Sequence, residues 1–533
     1  MNKTAPPLSD TTATDHQDAT DSVKRPGGHM VGTAGDDKSN NWIWQAVVVA
    51  AASAFSPMTA WANAGENPIL PTLALAVAIL VAVGLVSWQV LKRLKLDGLG
   101  SAYAVAMFML IVTNTGGLVG HYHSLDRFGL LIAAVALGAI AYRLRNVGLF
   151  EAVMTWFALF LIAYPVVNIV SSSVSSGEPS LDSDQSLQVT QMSERPDVLV
   201  VFLDAYGSRE VLQEYYGFDN GPTLRTLEKE GFTAPGSVSA NYARTQLSIP
   251  TFLQLDYVAG ASNISDTDTD HLLQVMGGQN RLASALQGQG YRQVHVESGW
   301  LGSTCGPTVD VCVSSPWPDE TFYDVMYRTI LLDLPGFELG RSFTNGALHG
   351  ERWLKTELST YLNDDQPDFI FAHMLLPHPP LFLDGQCNPD WSGGQSGFAI
   401  GQRGADELET AEARVDYIKQ VQCANSLMIE IAGLLGDDDV ALFLGDHGPD
   451  LQGQLFQQSS QWTADQLQER YGAFLATKVP GCDMNRIESL VNVGRRMLGC
   501  LSGDAFPDLP TRTFDLNKEP DGQVVIELEV PSS

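Results

Sequence analysis

At 533 residues the chain could hold several ordinary domains, but a mean hydropathy of zero hides two unlike parts: an apolar stretch from about Trp42 to Val170 and a polar, acidic remainder. A formal net charge of -30 and a pI near 4.5 exclude a broad basic surface, and with it nucleic acid as a partner. The acidity fits solubility or a saline habitat better than a dedicated cationic partner, and it names no substrate.

Residues 1–41 are rich in Asp, Thr, Ser, Gly and Lys without apolar periodicity, too polar to offset chain entropy, and are expected to form a disordered cytoplasmic tail. A usual secretory signal is not expected, because the apolar run begins far into the chain and further runs follow at once. Residues 42–170 then read as a transmembrane domain of about five helices: Trp42 to Ala62, Ile69 to Leu91, Ala102 to Val119, Phe128 to Ala141 with its flanks, and Leu149 to Val170. Lys92, Arg93 and Lys95 follow the second run and Arg143 and Arg145 the fourth, while Asn63 to Pro68 carries no Lys or Arg. Positive charge favours the cytoplasmic side, so the chain past Val170 is expected on the periplasmic or extracellular side of the inner membrane. Arg127, in the loop with His121 and His123, is the one basic residue on the other side.

The six cysteines all follow the apolar stretch, which suits an oxidising compartment. Six cysteines allow fifteen pairings; proximity favours Cys305 with Cys312 and Cys482 with Cys500, and elimination leaves Cys387 with Cys423. No Cys-x-x-Cys spacing suggests a metal site. A Ser-, Gly- and Asp-rich linker, residues 171–194, reads as a flexible tether. From 195 to 533, with globular structure starting near Pro196, β-branched runs alternate with amphipathic stretches, the pattern of a mostly parallel α/β sheet covered by helices. Gln523 to Val530 reads as a terminal edge strand or hairpin.

Three runs within that domain have the composition of fully buried strands and end in polar residues: Val198 to Leu203 before Asp204, Phe369 to Ala372 before His373, and Val440 to Leu444 before Gly445, Asp446 and His447. Ligands of open α/β sheets bind beyond the carboxyl ends of the strands, so these side chains should share one edge. Asp204, Asp446 and His447 form a ligand set for Zn²⁺ or Mn²⁺ with room for an oxygen nucleophile. The candidate nucleophile is Thr245, where a helix would open and free N–H groups favour an anion. Thr245 could instead be a plain N-cap, and Ser248 is the second candidate.

The segments PDVLVVFLDAYG (Pro196 to Gly207), ANYARTQLSIPTFL (Ala240 to Leu253), FAHMLLPHPP (Phe371 to Pro380) and GDHGPD (Gly445 to Asp450) resemble, in order and spacing, the alkaline phosphatase/sulfatase superfamily. The resemblance is to its membrane-anchored branch of lipoteichoic acid synthases and lipid A phosphoethanolamine transferases. It implies an alkaline-phosphatase-like α/β/α sandwich in which Asp204, Asp446, His447 and Thr245 hold the metal and Thr245 becomes phosphorylated. His373 and His378 would lie near the substrate oxygens or leaving group. Arg244 would contact a phosphoryl oxygen or form a structural salt bridge. Two departures argue against a sulfatase site: Ala205 stands where arylsulfatases have a second carboxylate, and no Cys-x-Pro-x-Arg surrounds Thr245. The implied activity is phosphoalcohol transfer from a phospholipid donor to an envelope glycan or glycolipid. The alternatives are a sulfatase-like hydrolase of phosphodiesters or sulfate esters and a non-catalytic envelope-binding or scaffold protein.

Overall fold

The computed structural model describes residues 70–94, 124–144, 147–175, 189–258, 263–299, 303–315, 348–379, 381–390, 407–451, 458–519 and 522–530, apart from isolated positions, together with 45–51 and a few single residues nearby. Eleven strands are described: β1 (Val198–Leu203), β2 (Val238–Ser239), β3 (Asn263–Ile264), β4 (Arg292–Val296), β5 (Val311–Val313), β6 (Asp368–Met374), β7 (Val440–Gly445), β8 (Gly472–Ala473), β9 (Leu475–Lys478), β10 (Thr513–Glu519) and β11 (Gly522–Leu528).

The main sheet has the order β5-β4-β6-β1-β7-β9. Its first five strands run parallel, and β9 closes the edge antiparallel to β7. A central parallel strand is buried on both faces, which is why β1, β6 and β7 read as unbroken apolar runs. Successive β1 side chains point to opposite faces. Leu199, Val201 and Leu203 enter one core with Leu224, Leu227, Leu354 and Tyr417, while Val198, Val200 and Phe202 enter the other with Ile249, Phe252, Leu286 and Val493. Helices therefore cover both faces. Glu407–Ala432 presents Tyr417, Val421, Ala424, Met428 and Ile431 at helical spacing, and Leu490–Ser502 presents Leu490, Val493 and Met497. The result is the α/β/α sandwich that the resemblance implies. Phe202 meets Phe252 edge to face at 5.2 Å between centroids, and burying a side chain of that size contributes about 1.5–3 kcal/mol.

The disulfides are Cys305–Cys312, Cys387–Cys423 and Cys482–Cys500, the pairing expected from proximity. The expected C-terminal hairpin is β10–β11, joined by β3. A helix runs to Ser175, and Thr190 is pinned by its N–H and hydroxyl to the carboxylate of Asp504, both at 2.6 Å. Met192 N–H donates to Gln289 Oε1.

Helices Leu70–Arg93, Ser124–Leu144 and Gly148–Ser175 fall on three of the five expected spans. Most of Trp42 to Ala62 and of Ala102 to Val119, and all of the tail, lie outside the described residues. Among the described residues no helix is long and apolar enough to cross a membrane.

Candidate active site

Strand register builds the site. Leu203 is level with Met374 on one side and with Gly445 on the other, so Asp204 and Asp446 leave the sheet side by side. His373 lies inside β6, opposite Phe202, rather than after the strand as its apolar run suggested. The chain turns sharply beyond both carboxylates. Ala205 takes a left-handed φ of 60°, and its N–H donates to Asp446 Oδ1, 3.0 Å away. Gly445 and Gly448 flank Asp446 and His447 because a Cβ would lie 2.3 Å from the Tyr206 carbonyl at the first and 1.8 Å from the Glu469 carbonyl at the second. Backbone therefore packs on backbone on both sides of the Asp–His pair.

Carboxylate oxygens of Asp204 and Asp446 and a ring nitrogen of His447 lie within 4.8 Å of one another, all buried. His447 Nδ1 faces the Gly448 carbonyl at 3.0 Å; a carbonyl only accepts, so the proton sits on Nδ1 and Nε2 carries a lone pair. That nitrogen is 3.1 Å from Asp446 Oδ2 and 3.9 Å from Asp204 Oδ1, and neither of those oxygens accepts a hydrogen bond. Three electron-rich atoms thus converge in a buried site where a cation is the natural complement. The residues fit a divalent metal: two carboxylates, one imidazole oriented by a backbone carbonyl, and a hydroxyl.

The titration behaviour has the same origin. Burial, reinforced by the charge of Asp204, pushes Asp446 up to about 7. For Asp204 burial also acts upward, but His378 and then His373 outweigh it and hold the carboxyl below its ordinary range. Burial, then the Arg470 guanidinium, pushes His447 well below the usual imidazole value and keeps it neutral.

Thr245 is the first residue of the helix Thr245–Gln254; the N-cap is Arg244, so capping does not explain the threonine. Its Oγ1 lies 3.1 Å from His447 Nε2. Ser248, the second candidate nucleophile, is turned away from this role: its hydroxyl donates to the Asp446 carbonyl at 2.5 Å and anchors that loop. Arg244 points to the hairpin, with Nε 3.8 Å from Asp515 Oδ1 and Nη2 donating to the Leu516 carbonyl at 3.4 Å. His373 places Nε2 3.3 Å from Asp204 Oδ2 and Nδ1 3.3 Å from the Ser298 hydroxyl. His378 is half-buried in the loop after β6.

Three residues of the site escaped the sequence reading. Arg470, buried at the end of the helix Ala464–Tyr471, hydrogen-bonds the carbonyls of Ala243 and Gly448 and lies 3.1 Å from His447 Nε2. Gln420 receives Phe382 and Leu383 N–H on its oxygen and donates to the carbonyls of Pro377 and His378, fixing the loop that carries His378. Tyr417 donates to the Ala205 carbonyl at 2.8 Å and accepts from Gly207 N–H at 3.1 Å. Their partners are backbone groups distant in sequence, which no local motif announces.

The profile of the family described as Sulfatase matches residues 196–478. Similar solved structures include the integral membrane protein lipooligosaccharide phosphoethanolamine transferase A from Neisseria meningitidis, at 12% identity and a TM-score of 0.40, over 86% of this chain and 95% of that one. The C-terminal periplasmic domain of EcEptC from Escherichia coli aligns at 13% identity and a TM-score of 0.38, over 64% of this chain and 96% of that one. The phosphonate monoester hydrolase of Agrobacterium radiobacter aligns at 13% identity and a TM-score of 0.40, over 60% of this chain and 80% of that one. No curated protein sequence matches.

Proposed function

The chain belongs to the Sulfatase family, within the alkaline phosphatase/sulfatase superfamily of enzymes, and from that premise we propose that it transfers a phosphoalcohol group from a phospholipid to an envelope glycan or glycolipid through a phosphothreonine at Thr245. The observation that carries this reading is the Thr245 hydroxyl, 3.1 Å from a neutral, lone-pair-bearing His447 Nε2, at the edge of a buried cluster with Asp204 and Asp446. No cysteine stands between Asn241 and Pro250, so a formylglycine nucleophile has no precursor there.

Asp204, Asp446, His447 and Thr245 would hold a divalent cation, Zn²⁺ or Mn²⁺. When bound, it supplies positive charge that lowers the pKa of the threonine hydroxyl. Thr245 Oγ forms the new bond to phosphorus while the bond from phosphorus to the diacylglycerol oxygen breaks. His373 or His378 gives that oxygen its proton. An acceptor hydroxyl then attacks the phosphothreonine and gives its proton to that same histidine, while the bond from phosphorus to the Thr245 oxygen breaks and the threonine regains from solvent the proton it lost before attack. The headgroup is of phosphoethanolamine or phosphoglycerol type.

A membrane-embedded donor gives a reason for joining this domain to a transmembrane bundle at residues 42–170, with residues 1–41 cytoplasmic, 171–194 a linker and 195–533 outside the inner membrane. The positive charges after the second and fourth apolar runs support that topology. Apolar side chains turned outward on the three long helices, among them Val86, Ile132, Leu149, Trp156 and Phe160, support lipid contact.

Mass spectrometry of Thr245 after incubation with defined phospholipids tests the reading. The wild type is expected to gain the phosphoalcohol mass on Thr245, with a burst of diacylglycerol and turnover that depends on acceptor; Thr245→Ala is expected to show neither. Equal turnover without acceptor would convert the reading to a hydrolase, and absence of any adduct or burst with the metal-loaded protein would end it.

A further inference from the structure

Three of the loops that build the site, those carrying Asp204, Thr245 and the Asp446–His447 pair, meet one short segment, Arg470–Phe474, which the family resemblance did not single out. Phe474 N–H donates to the Tyr206 carbonyl at 3.0 Å and Ser208 N–H donates to Gly472 at 2.8 Å, holding the turn after Asp204. Ala240 N–H donates to the Tyr471 carbonyl at 2.8 Å, holding the chain that leads to Thr245. Gly445 N–H donates to Phe474 at 2.9 Å and Gly448 N–H to Arg470 at 2.8 Å, holding both sides of Asp446 and His447. The Arg470 side chain repeats the pattern inside the site. Nε and Nη2 donate to the Ala243 carbonyl at 2.8 and 2.5 Å, Nη1 donates to the Gly448 carbonyl at 2.8 Å, and Nη2 lies 3.1 Å from His447 Nε2. The arginine is delivered by a helix with a complete capping box, Thr463 with Gln466, so its position is set from both ends.

We propose that Arg470 is the positioning residue of this active site, clasping the loop before Thr245 to the loop after His447 so that hydroxyl and imidazole meet at the metal position. The proposal rests on the metal-dependent reading above. A planar guanidinium can serve two carbonyls on opposite edges at once; an ammonium is a point charge on one atom and cannot keep both bonds in the same geometry. Placing an arginine side chain in a buried site and directing its hydrogen bonds to two carbonyls is a poor way to gain stability alone, but it joins the loop before Thr245 to the loop after His447.

The test uses the full-length chain in detergent and Zn²⁺ alone as the first probe. Titration calorimetry of wild type, Arg470→Lys and Arg470→Ala, with thermal melts for folding, is followed by phospholipid turnover. Arg470→Lys is expected to stay folded, to bind Zn²⁺ roughly 10–100-fold more weakly, as loss of a residue that orients metal ligands does, and to lose kcat by a similar factor with little change in KM. Guanidinium ion is expected to restore part of the activity of Arg470→Ala. Should that variant fail to fold, Arg470→Lys decides. Wild-type Zn²⁺ affinity together with wild-type kcat in Arg470→Lys overturns the proposal. A wild type that itself binds no Zn²⁺ sinks the functional reading instead, so the two failures are distinguishable.

Discussion

A methyl group at residue 448 would sit 1.8 Å from the Glu469 carbonyl, less than the contact distance of any two heavy atoms, and the atom it meets is backbone. Relief requires moving the helix end that carries Arg470 or the loop that carries His447. Gly448→Ala is therefore expected to cost about 3 kcal/mol or more, read as a lowered Tm, and to weaken metal binding in whatever fraction folds. A contrasting result is expected at Asp446. Its Oδ1 accepts the N–H groups of Ala205 and His447 at 3.0 and 2.9 Å, which an amide oxygen can also do, while Oδ2 faces Asp204 and His447 without a donor. Asp446→Asn removes one of two like charges in a buried site, so the metal-free protein should melt higher than wild type. The same change removes a ligand, so added Zn²⁺ should no longer raise Tm. Melting curves with chelator and with Zn²⁺ read both effects, and a mutant that keeps the full Zn²⁺ shift would remove Asp446 from the ligand set.

Helix Glu407–Ala432 illustrates what an element contributes beyond its apolar stripe. Gln420 makes four hydrogen bonds to the loop from Pro377 to Leu383, and one turn further Cys423 is bonded to Cys387, where the same loop ends. The loop carrying His378 is thus fixed to the helix twice. Gln420→Leu removes four hydrogen bonds to the backbone of the loop; the expected loss is about 2 kcal/mol, partly offset because the disulfide keeps the loop ends together. If His378 acts on the leaving group, kcat should fall several-fold while Zn²⁺ affinity holds, a split that calorimetry and turnover on one preparation resolve.

The same helix marks the limit of sequence reading. Its apolar periodicity is visible, as are β1, β6 and β7, because burial on both faces demands unbroken Val, Leu, Ile, Phe and Ala. Asp204, Asp446 and His447 are visible because they follow closely on such strands, at the carboxyl edge of the sheet where ligands bind. Gln420, Tyr417 and Arg470 serve backbone groups brought close only by the fold, and a Gln, Tyr or Arg on a helix otherwise reads as a surface residue. His373 was legible as a residue and misplaced as an element, since a buried strand can end in histidine and methionine as well as in an aliphatic residue.

Across the whole molecule, acidic residues gather at both ends of the central sheet, and the two ends are treated differently. At the carboxyl ends Asp204 and Asp446 face imidazoles and a guanidinium. At the amino ends lie Asp197, Asp368 and Asp439, each next to the first residue of a strand or within it. Arg292 neutralises Asp368 and Asp364, with hydrogen bonds of 2.7 Å to each. Among the described residues the Asp197 carboxylate receives one hydrogen bond, from the Asp368 N–H at 2.7 Å. Burial, with smaller contributions from Asp439, Asp368 and Asp364, pushes it up to about 7 despite that bond. The unfolded chain holds Asp197 at its ordinary ~3.9, so between these values the native state binds the extra proton. Its contribution to stability is complete below the lower value and is lost as pH rises through about 7. Asp197→Asn keeps the acceptor for Asp368 N–H and removes the charge. It is expected to raise Tm at pH 8 by ~2 °C, on the order of 1 kcal/mol after allowance for solvent at a half-buried site, and to give no gain at pH 4. The sheet separates this residue from the metal site, so phospholipid turnover at pH 8 should be unchanged. A mutant whose Tm follows that of the wild type across the range would show that Asp197 is already relieved of its proton by solvent, and that the acidic amino ends of the sheet carry no pH-dependent cost.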